Sequence, residues 1–431
     1  MSISENIRRF RKEARLTQKE LAAKCGLAEI TIRQYETEKR EPRAEQLKKI
    51  ADALDISPAE LSVGYGEMEE LLRRHKQRMQ SVHSALDSKA RKSGPKIRTD
   101  LLIMGELLVE IMRDRADVPL NCPGVFKGPY PSGAPAICAD AAARLGCRTT
   151  LIGNVGKDDF GELLLNRLKS DGVDCTYITE DSQLATGCAF VTYFNDGSRK
   201  FIFHMEAATE ALLPPLSRFG EIKYMHVMGC SLMAGGKLAS EILKAVRYLS
   251  GQGTKISFDP NIRKELFQNP EVQESFRDML SLTSIYLPGR EELLLTTGAA
   301  SVEEAVRVCF ENPRLEMLVL KDGARGSVLY TRKDRSPDSD NTPAAERSAP
   351  YSPDIAAVRV NAYQIEQKDA TGAGDCFDGA FLAGLIQGNS PEEAARMGAA
   401  AGALNAMEFG PMEGKISPEA VTALTENGGD S

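Results

Sequence analysis

The sequence predicts an α/β body, a doubly wound and mostly parallel sheet with helices on both faces, preceded by a small all-α module. Three observations carry this. From about residue 99 onward, apolar strand-like runs alternate with amphipathic helical stretches, as crossover-connected parallel strands require. The first 62 residues instead show helical spacing throughout, punctuated by caps and breakers. Charge also changes sign: residues 1–98 hold 22 Lys/Arg against 15 Asp/Glu, and the remainder holds 32 against 46. A basic module joined to an acidic body follows.

Composition narrows the function classes. A chain of 431 residues that is 42% hydrophobic can bury a real core, which excludes a wholly disordered protein. No apolar run reaches the roughly 18 residues of a membrane span. The opening MSISENIRRFRKEARL is charged throughout, unlike a signal peptide, so a cytoplasmic protein is expected. Nine cysteines without a C-x-x-C pair argue against a disulfide framework or a zinc site. Four histidines, none paired at helical spacing, argue against imidazole-bound catalytic metal and leave an oxygen-built Mg2+ site open. The absence of tryptophan excludes a Trp-lined sugar platform.

The module reads as five short helices. Ile7, Phe10 and Ala14 mark the first. Thr17 and Glu20 form a capping box at the second, which Gly26 breaks. A third runs from about Ala28 to Glu36 with Ile32 and Tyr35 inward, a fourth from Ala44 to Leu54, and Ser57-Pro58 opens a fifth. Two helices joined by a tight Gly-bearing turn match the helix-turn-helix pattern. The string LTQKELAAKCGLAEITIRQYETEKREP resembles the Cro/Xre-type DNA-binding domain, over about residues 4–62. The resemblance implies a third helix in the major groove of double-stranded DNA. Gln18 would face the backbone and a base edge; Glu29, Thr31, Arg33 and Gln34 would face the groove; Lys39, Arg40 and Arg43 would contact phosphates. It also implies an internal Arg11–Glu36 salt bridge and a homodimer reading two half-sites. A module used only for protein contacts is the competing reading. The expected domains are 1–63 for the module, 64–98 for a helical and basic linker, and 99–426 for the body. The linker stripe Met68, Leu71, Leu72 and Met79 would pair two chains or cover a domain edge.

The body opens with the strand DLLIMGELLVEIM, then helix ADAAARL, strand TTLIGNV and helix FGELLLNRLKSDG. The patch GCAFVTYFNDGSRKFIFHM reads as a hairpin turning at Asn195-Asp196-Gly197, a small β-lid over a cleft. KYMHVMG, KLASEILKAVRYL, KISFDPN, SIYLPG, SVEEAVRVCF, MLVLKDG and GSVLY continue the alternation. Residues 332–354, polar and rich in Pro and Ser, read as a surface insert. A glycine-rich turn then leads into the helix DCFDGAFLAGLIQG.

That turn, Asp369-Ala370-Thr371-Gly372-Ala373-Gly374-Asp375, concentrates the chemistry. Its glycines let main-chain N–H groups approach a ligand, and the helix aims its positive end at the same spot, which suits phosphate. Asp375 stands where a hydroxyl can hand it a proton. No G-K-[ST] follows, so this is not a Walker A loop. The string DATGAGDCF resembles the second signature of ribokinase/PfkB-type sugar kinases, in a resemblance that covers about residues 100–426. GELLVEIMRD, FKGPYPSGAPAI, DGSRKFIFHM and DPNIR are similar to tagatose-type kinases in particular.

The resemblance implies a ribokinase-like fold and ATP-dependent phosphorylation of a sugar hydroxyl. Asp375 would be the base, with the Gly372, Ala373 and Gly374 amides and Mg2+ taking the developing charge. Glu110, Gly133, Arg199 and Arg263 would bind sugar. The family's sugar-binding Asn is Ile137 here, and Asp140, one turn on, would replace it or merely be solvated. Lys321, Gly323, Gly326, Gly372 and Gly374 would hold the nucleotide. Glu292 would approach Mg2+ through water, although Gly289 replaces the family Asn. Asp369 and Thr371 lie where relatives bind a monovalent cation such as K+. The favoured substrate is a tagatose-like ketose, with fructose or a sugar acid next. Two functions fit: a working kinase with a fused DNA-binding regulator, or a regulator whose kinase-like body only senses sugar or ATP.

Overall fold

Apolar side chains gather into separate cores in two units, Met1–Lys92 and Ser93–Ser431. The computed structural model describes residues 2–54, 56, 61, 99–195, 198–215, 218, 220–264, 266–332 and 354–427. The fifth helix expected at Ser57-Pro58, the linker stripe and nearly all of the 332–354 insert lie outside the described residues.

In the first unit, α1 (Ile3–Glu13), α2 (Gln18–Cys25), α3 (Glu29–Glu36) and α4 (Ala44–Leu54) close around Ile7, Leu21, Ile32, Tyr35 and Ile50, all fully or almost fully buried. The Thr17/Glu20 capping box forms as read, and Gly26 ends α2 in the left-handed conformation that glycine adopts without strain. Arg11 grips Glu36 bidentately, Nε to Oε1 at 2.5 Å and Nη2 to Oε2 at 2.9 Å, and locks α1 to α3.

The second unit carries a nine-stranded sheet and a four-stranded sheet. Its strands are β1 (Leu101–Met104), β2 (Leu108–Arg113), β3 (Phe126–Ser132), β4 (Thr149–Gly156), β5 (Asp174–Asp181), β6 (Gly187–Tyr193), β7 (Arg199–His204), β8 (Tyr224–Met228), β9 (Lys255–Asp259), β10 (Ile285–Tyr286), β11 (Met317–Lys321), β12 (Ser327–Arg332) and β13 (Ile355–Val360). Its helices are α5 (Ala134–Arg144), α6 (Asp159–Ser170), α7 (Gly229–Met233), α8 (Leu238–Gly251), α9 (Pro270–Leu282), α10 (Arg290–Thr297), α11 (Val302–Phe310), α12 (Ala373–Gln387), α13 (Pro391–Ala406) and α14 (Pro418–Asn427).

The large sheet runs β13-β12-β11-β10-β9-β8-β1-β4-β5 and is parallel except where β12 pairs antiparallel with β11 and β13. Its strands from β1 to β11 are almost wholly buried apolar runs, as a sheet covered on both faces demands. Two expectations are corrected. The opening run 100–112 is not one strand: it breaks after Met104, so β1 joins the large sheet and β2 joins the small one. Both halves are apolar, and hydrophobicity cannot say which sheet each enters. The lid is also larger than a hairpin, a β3-β2-β6-β7 sheet with its own core of Leu108, Met112, Ala189 and Val191. Strands β3, β5 and β13 and helices α7, α9, α10, α13 and α14 complete the body beyond the segments read from sequence. Helices α12 and α13 pack side by side through small residues, and this contact fixes the start of α12 against the sheet.

Candidate active site

The carboxyl ends of the parallel strands and the inner face of the small sheet enclose a cavity of about 550 Å³. Ligands of open α/β sheets collect at such strand ends. The cavity floor is the start of α12. Gly372 caps that helix with φ +76°, and a Cβ there would meet the Pro411 carbonyl oxygen at 2.3 Å, so only glycine fits. The turn thereby places Gly372, Gly374 and Asp375 at the cavity, while the Thr371 N–H donates to Asp369 Oδ1 and the Ala373 N–H to the Ala370 carbonyl. The Asp375 Oδ1 accepts a hydrogen bond from Asn261 Nδ2 at 3.1 Å. Burial and the neighbouring Asp259 raise the Asp375 carboxyl to about 7, against the pull of Lys321 and Arg263. A carboxyl near neutrality is matched to proton transfer.

Beneath it lies a charged cluster. Lys321 Nζ contacts Asp259 Oδ2 at 2.9 Å and Asp378 Oδ1 at 3.0 Å. Burial opposes the ammonium charge, but the two carboxylates outweigh it and raise the Lys321 value. His226 is fully buried, 3.0 Å from Ser257 Oγ through Nδ1, and burial lowers it to about 3, so it is neutral. Asn261 follows Asp259 and Pro260 with φ +34°, a conformation that asparagine tolerates better than most residues.

The sugar side is lined by Glu106 and Glu110. Glu106 accepts from Cys230 Sγ at 2.9 Å and from Ser231 Oγ; Glu110 Oε1 accepts from Ser132 Oγ at 2.8 Å. Burial raises both carboxyls. Gly133 (φ +104°) passes beside the Glu106 carbonyl, where a Cβ would come within 2.6 Å of its oxygen. Ile137 adds an apolar wall. From the lid, alternate residues Arg199, Phe201 and Phe203 face the cavity, and Arg263 lies over the Phe201 ring at 5.6 Å. His204 on the same strand is exposed and is not among the cavity-lining residues.

A second cavity of about 340 Å³ adjoins the first and shares Lys321, Ala370 and Gly374 with it. Gly323, Gly326, Tyr363, Phe377 and small residues of α13 line it. Of the nucleotide residues read from sequence, Lys321, Gly323, Gly326 and Gly374 line this cavity, and Gly372 lines the main one. Glu292 reaches the main cavity, with Oε1 accepting from Ile262 N and Oε2 from Gly289 N, each at 2.8 Å. Gly289 caps α10 in extended backbone, and the nearest atom to a Cβ there would be Glu292 Oε2 at 3.0 Å, the end of a flexible side chain. Asp369 accepts from Thr371 N and Oγ1 and from Gly410 N, and Asn405 Nδ2 donates to the Thr371 carbonyl. Among the described residues no three His, Cys, Asp or Glu side chains converge to hold a metal.

One assignment fails. Asp140 is 2% exposed and faces Arg144 and Arg167, 3.5 and 3.8 Å away, not the cavity. The helix turn that presents Ile137 to the cavity points Asp140 into the packing against α6. Sequence reasoning also missed Glu106, Asn261, Asp378 and Phe201 as site residues. The Gly-Glu step after β1 and the Asp three residues beyond Asp375 were the available signals.

The sequence profile of the pfkB family carbohydrate kinases matches residues 127–418. The chain belongs to that family. The kinase is 30% identical over 346 residues to fructokinase-1 of Oryza sativa subsp. japonica, across 77% of this chain and 99% of the relative. It superposes on a protein from E. coli, provisionally named ribokinase II and solved with ATP and Mg2+, with TM-score 0.65 and 34% identity, covering 76% and 99% of the two chains. A Xylella fastidiosa fructokinase with bound ATP gives TM-score 0.63 at 25% identity, covering 77% and 100%. The kinase thus has a ribokinase-like fold and is an ATP-dependent carbohydrate kinase.

A helix-turn-helix profile matches residues 7–61. In that module Glu29 and Arg33 on α3 are exposed, Gln34 and Thr31 are half-buried, and Lys39, Arg40 and Arg43 are exposed between α3 and α4. Gln18 at the start of α2 is half-buried, and its amide Nε2 donates to Glu36 Oε2 at 2.8 Å. Among the described residues no helix is long and apolar enough to cross a membrane.

Proposed function

We propose that the kinase phosphorylates a hydroxyl of a ketose or sugar acid, with a tagatose-like ketose favoured, and that the fused module binds operator DNA as a homodimer to regulate sugar-utilisation genes. The observation that carries the catalytic reading is Asp375, facing the cavity from the turn that both cavities share. ATP would lie in the smaller cavity, its phosphates on the Gly372, Ala373 and Gly374 amides and beside Lys321, with Gly323 and Gly326 turning the chain around it. The acceptor hydroxyl attacks the γ-phosphorus; its proton passes to Asp375 as the bond to the β-phosphate oxygen breaks and ADP leaves. Asn261 holds the carboxylate toward the hydroxyl. Arg263 faces the transferring group, and Arg199 with the lid closes over the sugar and excludes water.

Glu106 and Glu110 put two acidic side chains on the sugar side of the cavity, which suits a neutral polyol better than an anion. Glu292 has lone pairs left after its two main-chain contacts, so it can hold Mg2+ through water; that ion, when bound, offsets phosphate charge. Asp369 would supply an oxygen to a monovalent cation, with the Thr371 loop around it.

A coupled ADP-release assay over a panel of ketoses and sugar acids tests this. Tagatose is expected to give the highest kcat/KM. No stimulation by any sugar, together with sugar-dependent DNA binding, would favour a sensor; the replacement of two family asparagines by Ile137 and Gly289 is the feature that motivates that second reading.

A further inference from the structure

The outward face of α3 carries a side chain that neither catalysis nor folding uses. Ile30 is 53% exposed, and it is the one large apolar side chain so exposed among the described residues of the N-terminal unit. The helix buries its opposite face, Ile32, Tyr35 and Glu36, so its register is fixed by packing. Ile30 therefore shares its face with Arg33 and Gln34, three and four residues on, with Glu29 beside it. Of the apolar residues beside it in sequence, Ile32 lies in the module core and Leu27 packs against that core. The face is thus one isolated branched apolar group framed by polar side chains that can donate and accept. A protein interface would call for a contiguous apolar patch. A major-groove floor offers the matching pattern: donor and acceptor edges interrupted by one kind of apolar group, the thymine C5-methyl.

We propose that Ile30 determines operator specificity by packing against a thymine methyl in each half-site, adjacent to bases contacted by Arg33 and Gln34. This rests on the DNA-binding reading of the module. The test first selects sites from a randomised double-stranded oligonucleotide pool with the full-length chain. Each thymine of the enriched site is then replaced by deoxyuridine, which removes only the methyl group.

The wild type should weaken by roughly fourfold at one thymine per half-site, the effect of losing one buried methyl. Ile30→Ala should bind thymine and deoxyuridine equally at that position, while Ile30→Val keeps part of the discrimination. Unchanged discrimination in Ile30→Ala at every position would overturn the proposal and leave DNA binding intact. Enrichment of no sequence would overturn the DNA reading itself, and the assignment of Ile30 with it.

Discussion

Two carboxyls, Asp375 at the start of α12 and Asp140 within α5, are both pushed upward by burial, yet they sit in opposite environments. Asp375 faces a cavity and takes one hydrogen bond, from Asn261. Asp140 faces Arg144 and Arg167 inside the packing between helices. A raised carboxyl is therefore no mark of catalysis by itself. What separates the two is whether a ligand can reach the oxygen, and that is set by the turn in front of the helix.

The sharpest way to break this contrast is to neutralise each acid. Asp375→Asn should lower kcat by about 10²–10⁴-fold while sugar and ATP binding change little, measured by turnover and calorimetry. Asp140→Ala should leave turnover per folded molecule nearly unchanged and reduce stability by roughly 1–3 kcal/mol in denaturant unfolding. Equal kinetic losses would erase the distinction.

The acid limb of the pH–rate profile sharpens it further. With Asp375 near 7, kcat/KM should rise about tenfold per pH unit below that point and level off above it. Lys321→Gln removes a charge that pulls Asp375 down, so the limb should move to higher pH. An unmoved limb would show that the ammonium does not act on Asp375.

Stability carries the same information with its own sign. A carboxyl raised from 3.8 to about 7 in the folded state favours folding least once pH exceeds both values. The Tm advantage of Asp375→Asn over wild type should therefore grow as pH rises from 4 to 8. The smallest expected effect is that of Ile137→Asn, a change of a few-fold in sugar KM, because it exchanges one wall of the cavity for a hydroxyl partner.

Much of this was legible in the chain. The alternation of strands and helices, the capping box at Thr17 and the turn before Asp375 are local signals, and each formed where it was read. The break after Met104 was not, because an apolar run reads the same on either side of a change of sheet. Asp140 was misplaced for a related reason: a one-turn spacing puts two side chains on roughly one face, but the edge of the cavity runs between Ile137 and Asp140. Glu106 escaped notice because its partners Cys230 and Ser231 lie more than a hundred residues away in the chain.

The most direct measurement is the position of the acceptor hydroxyl in a crystal structure of the kinase with tagatose and a non-hydrolysable ATP analogue. That hydroxyl should lie within about 3 Å of an Asp375 carboxylate oxygen, in line with the γ-phosphorus. A sugar bound with every hydroxyl beyond reach of Asp375, and a phosphate seated away from the Gly372–Gly374 amides, would contradict it.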